Sequence, residues 1–187
     1  MEYVAGHGYP APVVYDVSDD GLDLVMQRVE GATMLDDLGD HPWRVRSHAH
    51  TLAELHTRLG RIPAPDWLGA GPVPGDRVVH LDLHPGNVMV TADGPVVIDW
   101  TNGSSGTPGS DVAATWLIVA CAEIPGPRWK ATLLGAFRHL LVSSFLRHAG
   151  RAAAVENLRP VADWKTRDTN MHPTETQAMR RLVEKNC

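Results

Sequence analysis

The chain carries the stretch His80-Leu81-Asp82-Leu83-His84-Pro85-Gly86-Asn87-Val88-Met89-Val90, followed five residues later by Val96-Val97-Ile98-Asp99-Trp100. Residues 77–81, Arg-Val-Val-His-Leu, read as a short buried strand that delivers Asp82 into a loop. Pro85-Gly86 turns that loop sharply. The apolar runs 88–90 and 96–98 read as two strands, and the Asp93-Gly94 pair between them signals a hairpin over 91–95. A hairpin of that length returns the chain, so Asp99 is expected to emerge near Asn87.

The residue types suit a particular chemistry. Asp82 offers a carboxylate that can accept a proton. Asn87 and Asp99 offer an amide oxygen and a carboxylate, the hard donors that Mg2+ takes alongside phosphate and water. His80 is expected to be a core imidazole bonded to loop backbone. His84 is expected to shape the loop beside the Pro-Gly turn, with a metal-ligand role as the lesser alternative. A lone Asp-x-x-x-x-Asn is a common accident. Here the spacing, the strand before it and the hairpin after it agree.

These residues resemble the aminoglycoside phosphotransferase and choline kinase-like superfamily, which has His-x-Asp-x-His-x-Gly-Asn where protein kinases have His-Arg-Asp. Three flanking segments share the likeness. Gly8-Tyr9-Pro10-Ala11-Pro12 is similar to the approach to the fourth small-lobe strand. Residues 24–31 are similar to the fifth strand and hinge, and Leu52-Ala53-Glu54-Leu55-His56 to the helix behind the catalytic loop. The likeness weakens after about residue 125. It implies an α+β, protein-kinase-like fold: a mostly helical large lobe with the catalytic-loop hairpin (30–187), plus a remnant of the small-lobe sheet (1–29). It also implies ATP and Mg2+ as cofactors and a small-molecule hydroxyl as acceptor. By the same resemblance Asp82 is the base, and Asn87 and Asp99 hold Mg2+. The hinge backbone at Gln27, Arg28 and Val29 receives the adenine, and Asp111 braces the catalytic loop. Asp111 also suits the start of a helix, where a carboxylate is favoured.

The chain departs from that family at its beginning. Met1-Glu2-Tyr3-Val4 resembles the end of the small-lobe helix, and no lysine occurs before Lys130. Gly6-His7-Gly8 has no preceding strand and two prolines after it, so it is not a phosphate loop. The resemblance therefore implies a chain without the glycine-rich loop and phosphate-binding lysine, whose positioning carries much of phosphoryl-transfer catalysis. Low activity of this polypeptide is expected, from a mis-set start or a shortened gene. A catalytically silent remnant with a binding or regulatory role stands as the alternative. A two-strand small lobe would leave a bare sheet edge, so self-association is expected.

Composition sets the outer bounds. At 187 residues with 43% hydrophobic content, the chain can bury one sizeable core. The apolar run 112–124 is too short to span a bilayer, and no signal-like start is present, which predicts a soluble cytoplasmic protein without a membrane partner. A net charge of −5 argues against nucleic acid and suits a cationic acceptor. Cys121 and Cys187 give neither a disulfide framework nor a metal spacing. His48 and His50, two apart, do not share a helix face.

Outside the loop, residues 13–17 and 22–29 read as a hairpin. A turn-rich crossing is expected over 31–40 and a helix over 42–59, with Val45, Ala49, Leu52, Leu55 and Leu59 on one face and Gly60 as its stop. A Pro/Gly-rich connector follows at 62–75, and a Gly/Ser/Thr loop at 101–109. Helices are expected over 111–123, 128–150 and 174–185, with Trp129, Phe137, Leu141 and Phe145 in the core. Glu123, Glu156, Asp163 and Asp168 read as solvated surface charges.

Overall fold

The structure, a computed structural model, describes residues 1–20, 23–123, 128–168 and 171–187, the side chains of 128–133 excepted. The Trp129 side chain, Gly21, Leu22 and Ile124 therefore lie outside the described residues. A short helix α1 (Glu2–Gly6) leads into the hairpin β1 (Val14–Val17) and β2 (Leu24–Met26). These two strands pair antiparallel with a bulge between Val14 and Asp16. They form a two-stranded sheet of their own.

The segment expected as a turn-rich crossing is instead a short strand and a helix, β3 (Ala32–Thr33) and α2 (Met34–Asp40). The Thr33 hydroxyl accepts from Asp36 N at 3.1 Å and donates to the Asp36 carboxylate at 2.6 Å. This Thr-x-x-Asp cap outweighs Gly39, a poor helix former. The Asp37 carboxylate is then buried among His48 Nε2 at 2.6 Å and Arg44 at 2.9 Å. Its hydrogen bond with His48 and the Arg44 charge hold its pKa below the ordinary carboxylate range.

Residues 42–59 divide into a 3-10 turn (Pro42–Arg44) and α3 (Val45–Leu59), which ends at Gly60 as the sequence indicates. All five expected face residues of α3 are buried. The strand β4 (Arg77–Val79) delivers the catalytic loop. It pairs with β7 (Ser104–Gly106), so the segment expected to be a loop at 101–109 contains a strand. Gly75 permits this pairing, because a Cβ there would strike the Gly106 carbonyl.

The hairpin β5 (Val88–Thr91) and β6 (Gly94–Val97) forms with Thr91 opposite Gly94, leaving Ala92-Asp93 as the turn. Gly94, at φ 120°, opens β6 rather than sitting in the turn, and Pro95 is tolerated because β6 is a sheet edge. β3 joins the other side of β5, placing the segment after the hinge beside the catalytic hairpin. Gly31, at φ 145°, lies where a Cβ would strike the Val90 carbonyl.

Four helices complete the chain: α4 (Pro108–Cys121), α5 (Arg128–Ala149), α6 (Arg151–Lys165) and α7 (Pro173–Asn186). α4 starts three residues before Asp111 because Thr107 caps it and Pro108 fits its first turn. Helix α6 has no counterpart in the sequence expectations. Gly150, at φ 97°, ends α5, and Pro160 interrupts the pattern that follows. The buried stripe Ala154, Leu158, Val161 and Ala162 nevertheless carries helical spacing. Phe145 and Leu141 are core residues and Phe137 is partly buried against them. No described helix is long and apolar enough to cross a membrane.

α4 anchors the catalytic loop through Asp111, which is 3% exposed. Its Oδ1 accepts from His80 N at 3.1 Å and Leu81 N at 2.6 Å. Its Oδ2 meets His56 Nδ1 at 3.1 Å. The Thr115 hydroxyl donates to Leu83 O at 2.6 Å and faces His56 Nε2 at 3.0 Å. Thr115 thereby ties the His56 ring to the loop carbonyl of Leu83. Leu81 sits at φ 62°, a left-handed conformation that costs a branched residue on the order of 1–3 kcal/mol. The short bond from Leu81 N to Asp111 and complete burial of the Leu81 side chain hold it there.

Burial alone would push the Asp111 carboxyl up. The His56 ring bonded to it and the Leu81 N–H outweigh burial and hold its pKa below the ordinary value. A carboxyl depressed in this way binds fewer protons folded than unfolded. Its stabilisation is present above about pH 4 and lost as pH falls through the folded value. Asp111→Asn is expected to destabilise the fold by about 3–5 kcal/mol at pH 7. That deficit should shrink in denaturant titrations below about pH 4. An equal deficit at pH 7 and pH 3 would contradict this account.

Candidate active site

The strained turn at Leu81 aims Asp82 out of the core, leaving its side chain 23% exposed. Asn87 follows in a 3-10 turn (Pro85–Asn87) that His84 caps by accepting from Gly86 N at 3.1 Å. With Nδ1 of His84 accepting, its proton lies on Nε2, which faces Asp82 Oδ2 at 3.8 Å. Burial pushes the His84 pKa down, so the ring presents a neutral N–H to the carboxylate.

Asn87 Nδ2 donates to the Asp82 carbonyl at 2.9 Å and to Asp82 Oδ2 at 3.0 Å. Both amide hydrogens are thereby used, and the amide oxygen is left without a donor from the loop. The β5–β6 ladder continues one step, from Ile98 N to Asn87 O at 3.0 Å. That bond places Asp99 next along the chain from the residue bonded to Asn87. Asp99 adopts φ 58°, a left-handed conformation, and its Oδ1 accepts from the Thr101 hydroxyl at 2.8 Å. Such strain at a residue after a strand is a recurrent property of functional loops.

His80 is fully buried under this loop. Its Nε2 meets Ile98 O at 3.1 Å, its Nδ1 accepts from Asp82 N at 3.3 Å, and its ring packs against Trp100 at 4.7 Å. Burial lowers its pKa, outweighing the nearby Asp111 charge, so it is a neutral tie between the two halves of the loop.

The hinge stands apart from this cluster. Gln27 N donates to Val13 O at 2.7 Å, which occupies that donor in the first hairpin. The backbone of Arg28 and Val29 follows outside any helix or strand. It leads through Gly31 into β3 and so to the edge of β5.

One residue in the site was absent from the sequence expectations. Lys165, at the end of α6, places Nζ 3.1 Å from Asp82 Oδ1, and its side chain is 12% exposed. The ammonium also lies 5.6 Å from the Trp164 ring centre. The two oxygens of Asp82 thus have different neighbours: Asn87 and His84 on Oδ2, Lys165 on Oδ1. No local motif marks this lysine, which is 83 residues from its partner. The sequence signal that could have found it is the apolar stripe of α6, which places position 165 one turn beyond Val161 and Ala162 on the buried face.

A family model described as the phosphotransferase enzyme family matches residues 65–153. That span contains Asp82, Asn87, Asp99 and Asp111. Two curated relatives, the serine/threonine-protein kinase AfsK of Streptomyces coelicolor and that of Streptomyces griseus, are each 39% identical over 69 residues. Each match covers 32% of this chain, which spans only 9% of those proteins. The solved structure of an aminoglycoside-3'-phosphotransferase of type VIII covers 100% of this chain and 77% of its own at a TM-score of 0.55 and 19% identity. That likeness gives the fold. A little under half of the chain, the loop around Asp82 included, thus resembles the phosphotransferase enzyme family, and its architecture is the protein-kinase-like fold.

Proposed function

We propose that the chain transfers the γ-phosphoryl group of Mg-ATP to a hydroxyl of a small molecule, aminoglycoside-like or another metabolite. The observation that carries this reading is the Asp82–Asn87 pair, locked by two hydrogen bonds and joined through Ile98 to Asp99. Asp82 Oδ1 takes the proton of the acceptor hydroxyl as its oxygen bonds to phosphorus and the bridge to ADP breaks. Asn87 fixes Oδ2, so the carboxylate keeps one orientation. The amide oxygen of Asn87 and the carboxylate of Asp99 form a donor pair that suits Mg2+, which completes its shell with phosphate oxygens and water. When bound, that ion would neutralise charge on the phosphates. Lys165 holds Oδ1 toward the acceptor side, and its two remaining N–H groups can meet oxygens of the group in transfer. Arg28 and Val29 supply hinge backbone for the adenine, between the small-lobe remnant of residues 1–29 and the lobe of residues 30–187.

Calorimetric titration with Mg-ATP tests this directly. The wild-type chain is expected to bind, and Asp99→Asn to lose that binding. Asp82→Asn should lower phosphoryl transfer, to water or to an added acceptor, by about 10²–10⁴-fold with the nucleotide still bound. Lys165→Met should lower it by about 10²-fold through misplacement of Asp82. A wild-type chain that does not bind Mg-ATP would sink the catalytic reading and favour a silent, binding or regulatory member of the family.

Self-association is the second part of the proposal. Val13, Tyr15, Val17, Leu24, Val25 and Met26 are all exposed on the first hairpin, Tyr15 by 66% and Val25 by 54%. Among the described residues the two strands pair only with each other. An apolar hairpin with open edges invites another strand. Light scattering should show mass rising with protein concentration, and Tyr15→Lys with Val25→Lys should suppress the rise. A wild-type monomer at every concentration would refute it.

A further inference from the structure

Helices α3 and α5 enclose an open cleft of about 370 Å³ whose lining shares no residue with the loop around Asp82. Its polar lining comes from Arg46, Ser47 and His50 on α3 and from Ser143, Ser144, Arg147 and His148 on α5. No carboxylate lines it. Arg46 and Arg147 form no ion pair among the described residues. His50 faces Glu54 at 3.5 Å along its own helix, and its ring stacks edgewise on His148 with centroids 5.0 Å apart. Two packed helices therefore turn two guanidinium groups and two imidazoles toward one space.

The start of α3 adds to the imbalance. Its first turn holds no acidic residue, while a helix N-terminus carries partial positive charge. Elsewhere the chain answers such charge: Arg44, two residues before Arg46, is bound by Asp37. Ser144, 8% exposed, also borders the cleft. Two guanidinium forks and a hydroxyl on one cleft match the oxygens of a tetrahedral oxyanion.

We propose that this cleft binds a phosphate-bearing small molecule, with Arg46 and Arg147 as the charge clamp and Ser144 as a buried donor. A cavity of this size accepts more than a bare phosphate. The site is separate from the catalytic loop and does not depend on the chain being an active phosphotransferase.

Inorganic pyrophosphate, titrated into the full chain by calorimetry without divalent metal, is the probe. Saturable one-site binding is expected, accompanied by shifts of the His50 and His148 ring proton signals in NMR spectra. Arg46→Ala with Arg147→Ala should weaken binding by at least about tenfold. Ser144→Ala, which suits a helix and leaves the surface charges in place, should weaken it several-fold and serves if the double variant fails to fold. Asp99→Asn should bind as the wild type does. No saturable binding, binding that survives the cleft variants, or binding lost only in Asp99→Asn would each overturn the proposal.

Discussion

A single buried carboxylate carries the geometry of the site. Asp111 accepts two backbone N–H groups from the strand that enters the catalytic loop and meets a third donor on His56. Those bonds hold Leu81 in a conformation that its side chain disfavours. Because Leu81 is left-handed, the chain turns out of the core at the next residue and presents Asp82. The same network runs through Thr115 to the Leu83 carbonyl, so the loop is held on both sides of Asp82. The position of the reactive carboxylate is thus a property of α3 and α4 as much as of the loop.

Charge in the site is set by contacts that no short motif contains. The net charge of −5 suggests affinity for a cationic acceptor. At Asp82 Oδ1 the local balance is different, because an ammonium, Lys165 Nζ, lies 3.1 Å away. An acceptor reaching that oxygen would lie beside a positive charge, whatever the average over the surface. A lysine reaches Asp82 from α6, 83 residues away in the chain.

The two ends of the chain differ in how well their surfaces are satisfied. In the large lobe, helices α3 to α7 bury a continuous core from Val45 to Val183. The first hairpin contributes neither face of its sheet to that core, and its apolar residues remain in contact with solvent. Its link to the large lobe runs instead through Pro10, whose carbonyl accepts from Val97 N, and through Tyr9 packed on Trp100.

The strand, turn and hairpin around Asp82, Asn87 and Asp99 were legible in the sequence because their signals are local. Apolar runs of strand length, a Pro-Gly turn and a short hairpin place those three residues within twenty positions of one another. The face of α3 and its glycine stop were legible for the same reason, since helical periodicity needs only a few turns to declare itself. The capped helix α2 and the Pro-interrupted helix α6 were obscured by glycine and proline, whose local penalties tertiary packing outweighs. The pairing of β7 with β4 depends on a glycine facing a glycine across thirty residues, which no local pattern announces. The sequence by itself determined the chemistry on offer: a carboxylate, an amide and a second carboxylate in the order a phosphotransferase uses. Tertiary structure alone decided which oxygen of Asp82 meets Lys165 and which charged helix faces share the cleft behind α3. Those contacts join residues far apart in the chain, and only the closing of the core brings them within reach.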